Sequence, residues 1–103
     1  VLNDNFITNL PREAIVEVPC IADASGIHGE YVGKLPTQCA ALNMTNINPV
    51  LLTIDAAFDH KRETVYQAAM LDPHTAAELS IDDIINMCDD LFESHSNMLP
   101  EYK

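Results

Sequence analysis

The feature that most restricts the fold is a change of period near Leu35. Downstream of it Ile47, Val50, Leu51, Ile54, Ala57 and Phe58 stand at i, i+3, i+4, i+7, i+10 and i+11, the spacing of one apolar stripe along an α-helix. Pro49 lies inside the stripe, where it deletes one backbone hydrogen bond and crowds the preceding turn. Two readings follow: one helix starting near Leu35 and kinked near Thr45, or a new helix capped by Asn48 with Pro49 as its first residue. The single kinked helix is preferred. A second stripe, Ile81, Ile84, Ile85, Cys88, Leu91 and Phe92, opposes Asp82, Asp83, Asp89, Asp90 and Glu93 across the last helix. Ser80-Ile81-Asp82-Asp83 resembles a capping box, with Asp in place of the usual Glu. Between the stripes, Asp59 is expected to cap a short helix through Leu71, and Asp72-Pro73 to cap the turn His74 to Glu78.

Upstream of Leu35 the residues favour extended backbone. Ala14-Ile15-Val16-Glu17-Val18 is rich in β-branched side chains, Asp23-Ala24-Ser25-Gly26 supplies turn chemistry, and Ile27 to Val32 returns, which reads as a hairpin. Pro19 has no N–H for a ladder, so the first strand ends there, bulges there or lies at an edge. The expected fold class is α+β and predominantly helical: a short β-hairpin followed by three or four helices, with residues 1–103 as a single unit around one core.

Charge narrows the function classes. Five Lys and Arg against sixteen Asp and Glu give a net charge of -11, which repels phosphate backbones and anionic lipid surfaces. Nucleic acid and membrane are therefore not expected partners, and no apolar run approaches the roughly 18 residues of a membrane span. Residues 72–103 hold eight acidic residues against Lys103 alone. A solvated helix face explains this, and a docking surface for a basic partner is the alternative. Cys20, Cys39 and Cys88 form no C-x-x-C pair and suit a reducing compartment; Cys88, on an apolar stripe, reads as a core thiol.

No complete active site is visible. A thiol hydrolase would need one of these cysteines beside His28, His60, His74 or His95, and only Cys20 and His28 could meet through hairpin geometry. Asp55, Asp59 and Glu63 at i, i+4 and i+8, with His60, are the best metal set, but a helix boundary at Asp59 breaks their stripe. G-x-G-x-x-G, G-x-x-x-x-G-K-[ST] and H-E-x-x-H are all absent, so no catalytic, cofactor-binding or metal residues are assigned.

Ordered motifs then carry a resemblance. Asn9-Leu10-Pro11, Val16-Glu17-Val18-Pro19, Tyr31-Val32-Gly33 with Leu35-Pro36, Ala40-Ala41-Leu42-Asn43, Thr45-Asn46-Ile47-Asn48, and the stretch Tyr66 to Ala77 together resemble the C-terminal part of glycoside hydrolase family 4, from about Phe6 to Met98. The α-galactosidase and α-glucosidase branch is nearer than the 6-phospho-glycosidase branch. The resemblance implies the C-terminal part of a lactate/malate dehydrogenase-like C-terminal domain, in a cytoplasmic, oligomeric enzyme that uses NAD and a divalent metal, usually manganese. It implies glycoside cleavage by oxidation at the sugar C3, loss of the C2 proton and elimination, in place of the usual two carboxylates.

In that family the dinucleotide loop, the metal-binding Cys and His, and the catalytic acid and base lie upstream of the part resembled, so no residue here inherits those roles. The expectation is a C-terminal fragment, inactive alone, that packs against the upstream region of the same polypeptide, serves an α-glycoside-cleaving parent and supplies homo-oligomer contacts. An apolar helix face freed from its interface would drive self-association. The loop Asn3 to Asn9, with Asn3, Asn5 and Asn9, is the part expected nearest the sugar. Asn5 stands where the family often has Gly; if that position needs positive φ, Asn is among the better substitutes. The rivals are a self-standing acidic helical domain that binds a basic partner and, less supported, a small Cys-His hydrolase.

Overall fold

The structure, a computed structural model, describes residues 1–103 and contains β1 (Cys20–Asp23), β2 (Gly26–Gly29), α1 (Thr37–Asp59), α2 (Arg62–Leu71), α3 (Pro73–Glu78) and α4 (Ile81–Ser94). A hairpin followed by four helices agrees with the expected class. The backbone divides into two compact units, Val1–Met44 and Thr45–Lys103, with the boundary inside α1.

In the first unit the β-branched run does not become the hairpin strand. Its partner is the N-terminal segment: Asn3 N–H donates to the Ala14 carbonyl at 2.8 Å, Val16 N–H donates to the Val1 carbonyl at 2.8 Å, and Leu2 bridges Ile15. Ala14 and Val16 face inward while Ile15 is exposed, the alternation of a half-buried strand. The hairpin starts later, after Pro19, with Cys20 opposite Gly29, Ile21 opposite His28, Ala22 opposite Ile27 and Asp23 opposite Gly26. Pro19 still extends the pairing, because it needs only its carbonyl to accept from Glu30 N–H at 2.8 Å. The expected return strand to Val32 stops at Gly29, where a Cβ would stand 2.6 Å from the Phe6 ring.

α1 is a single helix with Pro49 in its interior, so Asn48 does not cap a second one. It ends where His60 turns left-handed at φ 52°, and the His60 N–H still reaches the Ala56 carbonyl at 3.1 Å. Asp59 therefore belongs to α1 and is not the N-cap expected of it; Lys61 occupies that position without a side-chain cap. The Asp59 carboxylate nonetheless steers the turn, accepting from Lys61 N–H at 2.9 Å and from the Thr64 hydroxyl at 2.8 Å.

The other two caps form as the sequence indicates. Asp72 accepts from Thr75 N–H at 2.8 Å with Pro73 as the first residue of α3. Ser80 Oγ accepts from Asp83 N–H at 3.2 Å. The shorter Asp83 changes the box: the Ser80 hydroxyl donates to its carboxylate at 2.6 Å. α4 buries Ile84 and Cys88, and α2 buries Ala68. Tyr66 on α2 donates to Asp89 on α4 at 2.5 Å, and Arg62 Nη1 donates to the same carboxylate at 3.2 Å.

The α1 stripe is helical but largely uncovered. Phe58 is 85% exposed, Val50 58% and Ile54 47%, whereas Ala56, off the stripe, is buried. From Thr37 to Ile54 the helix carries no charged residue, in a chain of net charge -11.

Candidate functional site

The loop around Asn3, Asn5 and Asn9 is built from backbone groups held by side-chain amides. Asp4 and Asn5 both take positive φ, 37° and 77°, and Phe6 N–H donates to the Asn3 carbonyl at 2.7 Å, the signs and hydrogen bond of a type I′ turn. The left-handed backbone is thus present at Asn5, a residue type that tolerates it. Asn3 itself is fully buried. Its Oδ1 accepts from Ile7 N–H at 2.8 Å, and its Nδ2 donates to the carbonyls of Ile7, Leu10 and Pro11 at 2.9, 3.1 and 2.9 Å. Two hydrogens reach three acceptors, so one is shared. With both hydrogens committed and the side chain fully buried, this amide presents no donor to a sugar hydroxyl.

Asn9 is a second clamp. Its Oδ1 accepts from Leu35 N–H and its Nδ2 donates to the Leu35 carbonyl, each at 2.9 Å, tying the loop to the segment that enters α1. Backbone bonds from Thr8 N–H to Gly33 and from Val32 and Gly33 N–H to Phe6 complete the frame. Gly33 has φ 90°, a conformation that disfavours a side chain. The exposed tip is left to Asp4, paired with Arg12, and Asn5. The Asp4 hydrogen bond raises the Arg12 pKa from its ordinary value. Nothing local in the sequence announces the Asn9 to Leu35 clamp, whose partners are 26 residues apart.

The other chemical candidates resolve differently. Cys20 and His28 are offset by one in the ladder, which puts their side chains on opposite faces of the hairpin, and the Cys20 thiol donates to the Val18 carbonyl. Asp23, Ser25 and His28 do cluster, with Ser25 Oγ 2.8 Å and Asp23 Oδ1 3.3 Å from His28 Nε2. Both contacts fall on the same ring nitrogen, so the carboxylate does not orient the ring from its far side as a hydrolytic triad requires. The Ser25 hydroxyl and N–H instead hold the Asp23 carboxyl below its usual range. Cys88 is buried, and burial, with Asp89 beside it, pushes its thiol up, away from nucleophilic thiolate.

Asp55, Asp59, Glu63 and His60 do not converge, and no group of three or more His, Cys, Asp or Glu is disposed to hold a metal ion. Asp59 is committed to Lys61 N–H, which lowers its pKa, and to Thr64. No glycine lies at the N-terminus of a helix to cradle a pyrophosphate. The metal set of Asp55, Asp59, Glu63 and His60 is therefore not assembled within this chain.

Comparison with known proteins supplies the setting. The family 4 glycosyl hydrolase C-terminal domain matches residues 1–75. Over 103 residues the chain is 63% identical to an alpha-galactosidase of Bacillus subtilis (strain 168), covering 100% of this chain and 24% of that protein. A 6-phospho-alpha-glucosidase from gut microorganisms, solved with NAD and glucose-6-phosphate, superposes with a TM-score of 0.87 at 26% identity, over 100% of this chain and 23% of that one. Another, solved with NAD and Mn2+, shares the fold at a TM-score of 0.88 and 24% identity, with the same coverage of 100% and 23%. A helical domain opened by a hairpin and an amide-clamped loop thus has a family: the chain belongs to the family 4 glycosyl hydrolases, in their C-terminal domain. It spans about a quarter of the length of these relatives.

Proposed function

We propose that this chain is the C-terminal domain of an α-glycosidase, with α-galactosides as the substrates that the 63% identity favours, and that its own work is structural. The observation that carries this reading is the exposed apolar stripe of α1, whose Val50 and Ile54 are only partly covered by α2 and α4 and whose Phe58 is left 85% exposed. Its occupant is the upstream region of the same polypeptide, which accounts for the remaining three-quarters of the relatives' length. NAD and a divalent metal, manganese by analogy with the relatives' complexes, are held by that upstream region. The parent is a cytoplasmic homo-oligomer.

In the same reading the loop from Asn3 to Asn9 lies on the sugar side of the assembled enzyme. Asn3 and Asn9 hold its shape, and Asn5 sits at its tip. The rival, an acidic domain for a basic partner, draws less support, because two of the five α4 carboxylates are already engaged: Asp83 by Ser80, and Asp89 by Arg62 and Tyr66. The test is an exchange. The matched segment of the Bacillus subtilis alpha-galactosidase is replaced by this chain, and hydrolysis of a chromogenic α-galactoside is followed with NAD and Mn2+ supplied. The expected result is an active chimera and an inactive isolated chain. A folded, cofactor-loaded chimera without glycosidase activity would overturn the reading.

A further inference from the structure

α2 is a ten-residue helix whose N-cap, Lys61, offers no side-chain hydrogen bond. Its first N–H is nevertheless satisfied, because Arg62 N–H donates to the Lys103 carbonyl at 2.9 Å while Lys103 N–H donates to the His60 carbonyl at 2.9 Å. This reciprocal pair clips the segment around Lys103 onto the start of the helix, where a cap is otherwise missing. The ring of Tyr102 packs between those of His60 and Phe92, at centroid distances of 5.3 and 5.1 Å. Arg62 joins the three elements: Nε reaches the Tyr102 carbonyl at 3.4 Å, Nη1 reaches Asp89 at 3.2 Å, and its guanidinium lies 4.8 Å above the Phe92 ring. Leu99 and Tyr102 form the tail-side wall of a cavity of about 210 Å³ otherwise lined by Val65, Cys88, Leu91, Phe92 and His95.

We propose that residues 98–103 are a releasable strap: docked, they cap α2, fix Arg62 on Asp89 and wall one side of the apolar cleft; undocked, they remove that wall without unfolding α4. Exposure, irregular backbone and a small set of contacts make it a strap and not part of the core. Met98 is 74% exposed and Leu99 40%, no regular structure spans the segment, and its hold on α2 rests on the two backbone hydrogen bonds, the Arg62 side chain and the Tyr102 ring. Segments with few buried apolar contacts and exposed hydrogen bonds open at a lower free energy than the helices they lie on.

Amide hydrogen exchange on the whole chain tests this, with Tyr102→Ala and a chain ending at Asn97 as variants. In the unaltered chain the Arg62 and Lys103 amides are expected to be protected, but roughly tenfold or more less than those of Ile85 to Leu91. In both variants the Arg62 protection is expected to fall by about tenfold or more while α4 keeps its own. Three results would overturn the proposal: an Arg62 amide exchanging freely in the unaltered chain, unchanged Arg62 protection in the shortened chain, or loss of α4 protection together with α2. The last would make the tail an integral part of the fold.

Discussion

The two units are stabilised by different means. In Val1–Met44 regular structure is scarce and two asparagine amides hold the backbone, Asn3 by four hydrogen bonds and Asn9 by two. In Thr45–Lys103 helices carry the backbone hydrogen bonds, local caps start α3 and α4, and Ile84 and Cys88 form the apolar centre. The difference teaches where each unit is fragile: the first at a few buried polar atoms, the second at its packing. Each kind of fragility invites a different substitution.

The largest effect is expected at Asn3. Asn3→Asp is nearly isosteric, yet it sets a carboxylate against the carbonyls of Ile7, Leu10 and Pro11 and removes both amide hydrogens, which leaves the Leu10 carbonyl without a donor and those of Ile7 and Pro11 with only the longer bonds from Leu10 and Ala14 N–H. Leaving such buried groups unsatisfied costs roughly 1–3 kcal/mol each, so a loss of at least about 3 kcal/mol is expected. Near-ultraviolet circular dichroism from Tyr31, the tyrosine of the first unit, reads it out. A tolerated Asn3→Asp would break the contrast, since apolar packing would then hold both units. Ile84→Ala comes next, at about 3 kcal/mol for a fully buried aliphatic side chain, read by helical circular dichroism during denaturant unfolding. Asn9→Ala is expected to cost roughly 2 kcal/mol, because the Leu35 N–H and carbonyl lose their partner but lie near solvent.

Smaller effects sharpen the comparison within the second unit. Ser80→Ala is expected to lower its stability by about 1 kcal/mol, the usual loss of an N-cap, in the same unfolding measurement. Asp72 supplies a pH dependence. Thr75 N–H and hydroxyl hold its folded pKa below the ordinary value, so its contribution is present above the unfolded carboxylate pKa and is lost as pH falls through the lowered folded one. Asp72→Asn keeps a good cap but cannot titrate. It is expected to flatten the acid side of the thermal-midpoint profile without moving it at neutral pH.

The same contrast decides what was legible in the sequence. The caps at Asp72 and Ser80 span three residues each, so local chemistry announces them. Asn3 and Asn9 reach partners up to 26 residues away through backbone atoms, which leave no mark in side-chain identity. The β-branched run at Ala14 to Val18 showed extended backbone but not its partner; pairing with Val1 to Asn3 moved the hairpin past Pro19. The α1 stripe showed a helix, and its period could not say which chain covers it. Asp59 is not the cap because the left-handed turn at His60 moves the N-cap two residues on, to Lys61, and α2 starts at Arg62.

That uncovered stripe is where the account is most exposed to refutation. The most direct measurement compares the α-galactosidase chimera carrying this chain with the same chimera bearing Val50→Asp and Phe58→Asp. Both positions are exposed in the isolated chain, where the pair is expected to change its own stability by no more than about 0.5 kcal/mol per site. In the chimera the two carboxylates would be buried without partners against the upstream region. The account predicts loss of both assembly and glycosidase activity there; an equally active, equally assembled double variant would show that the face of α1 is not the surface by which this domain joins the enzyme.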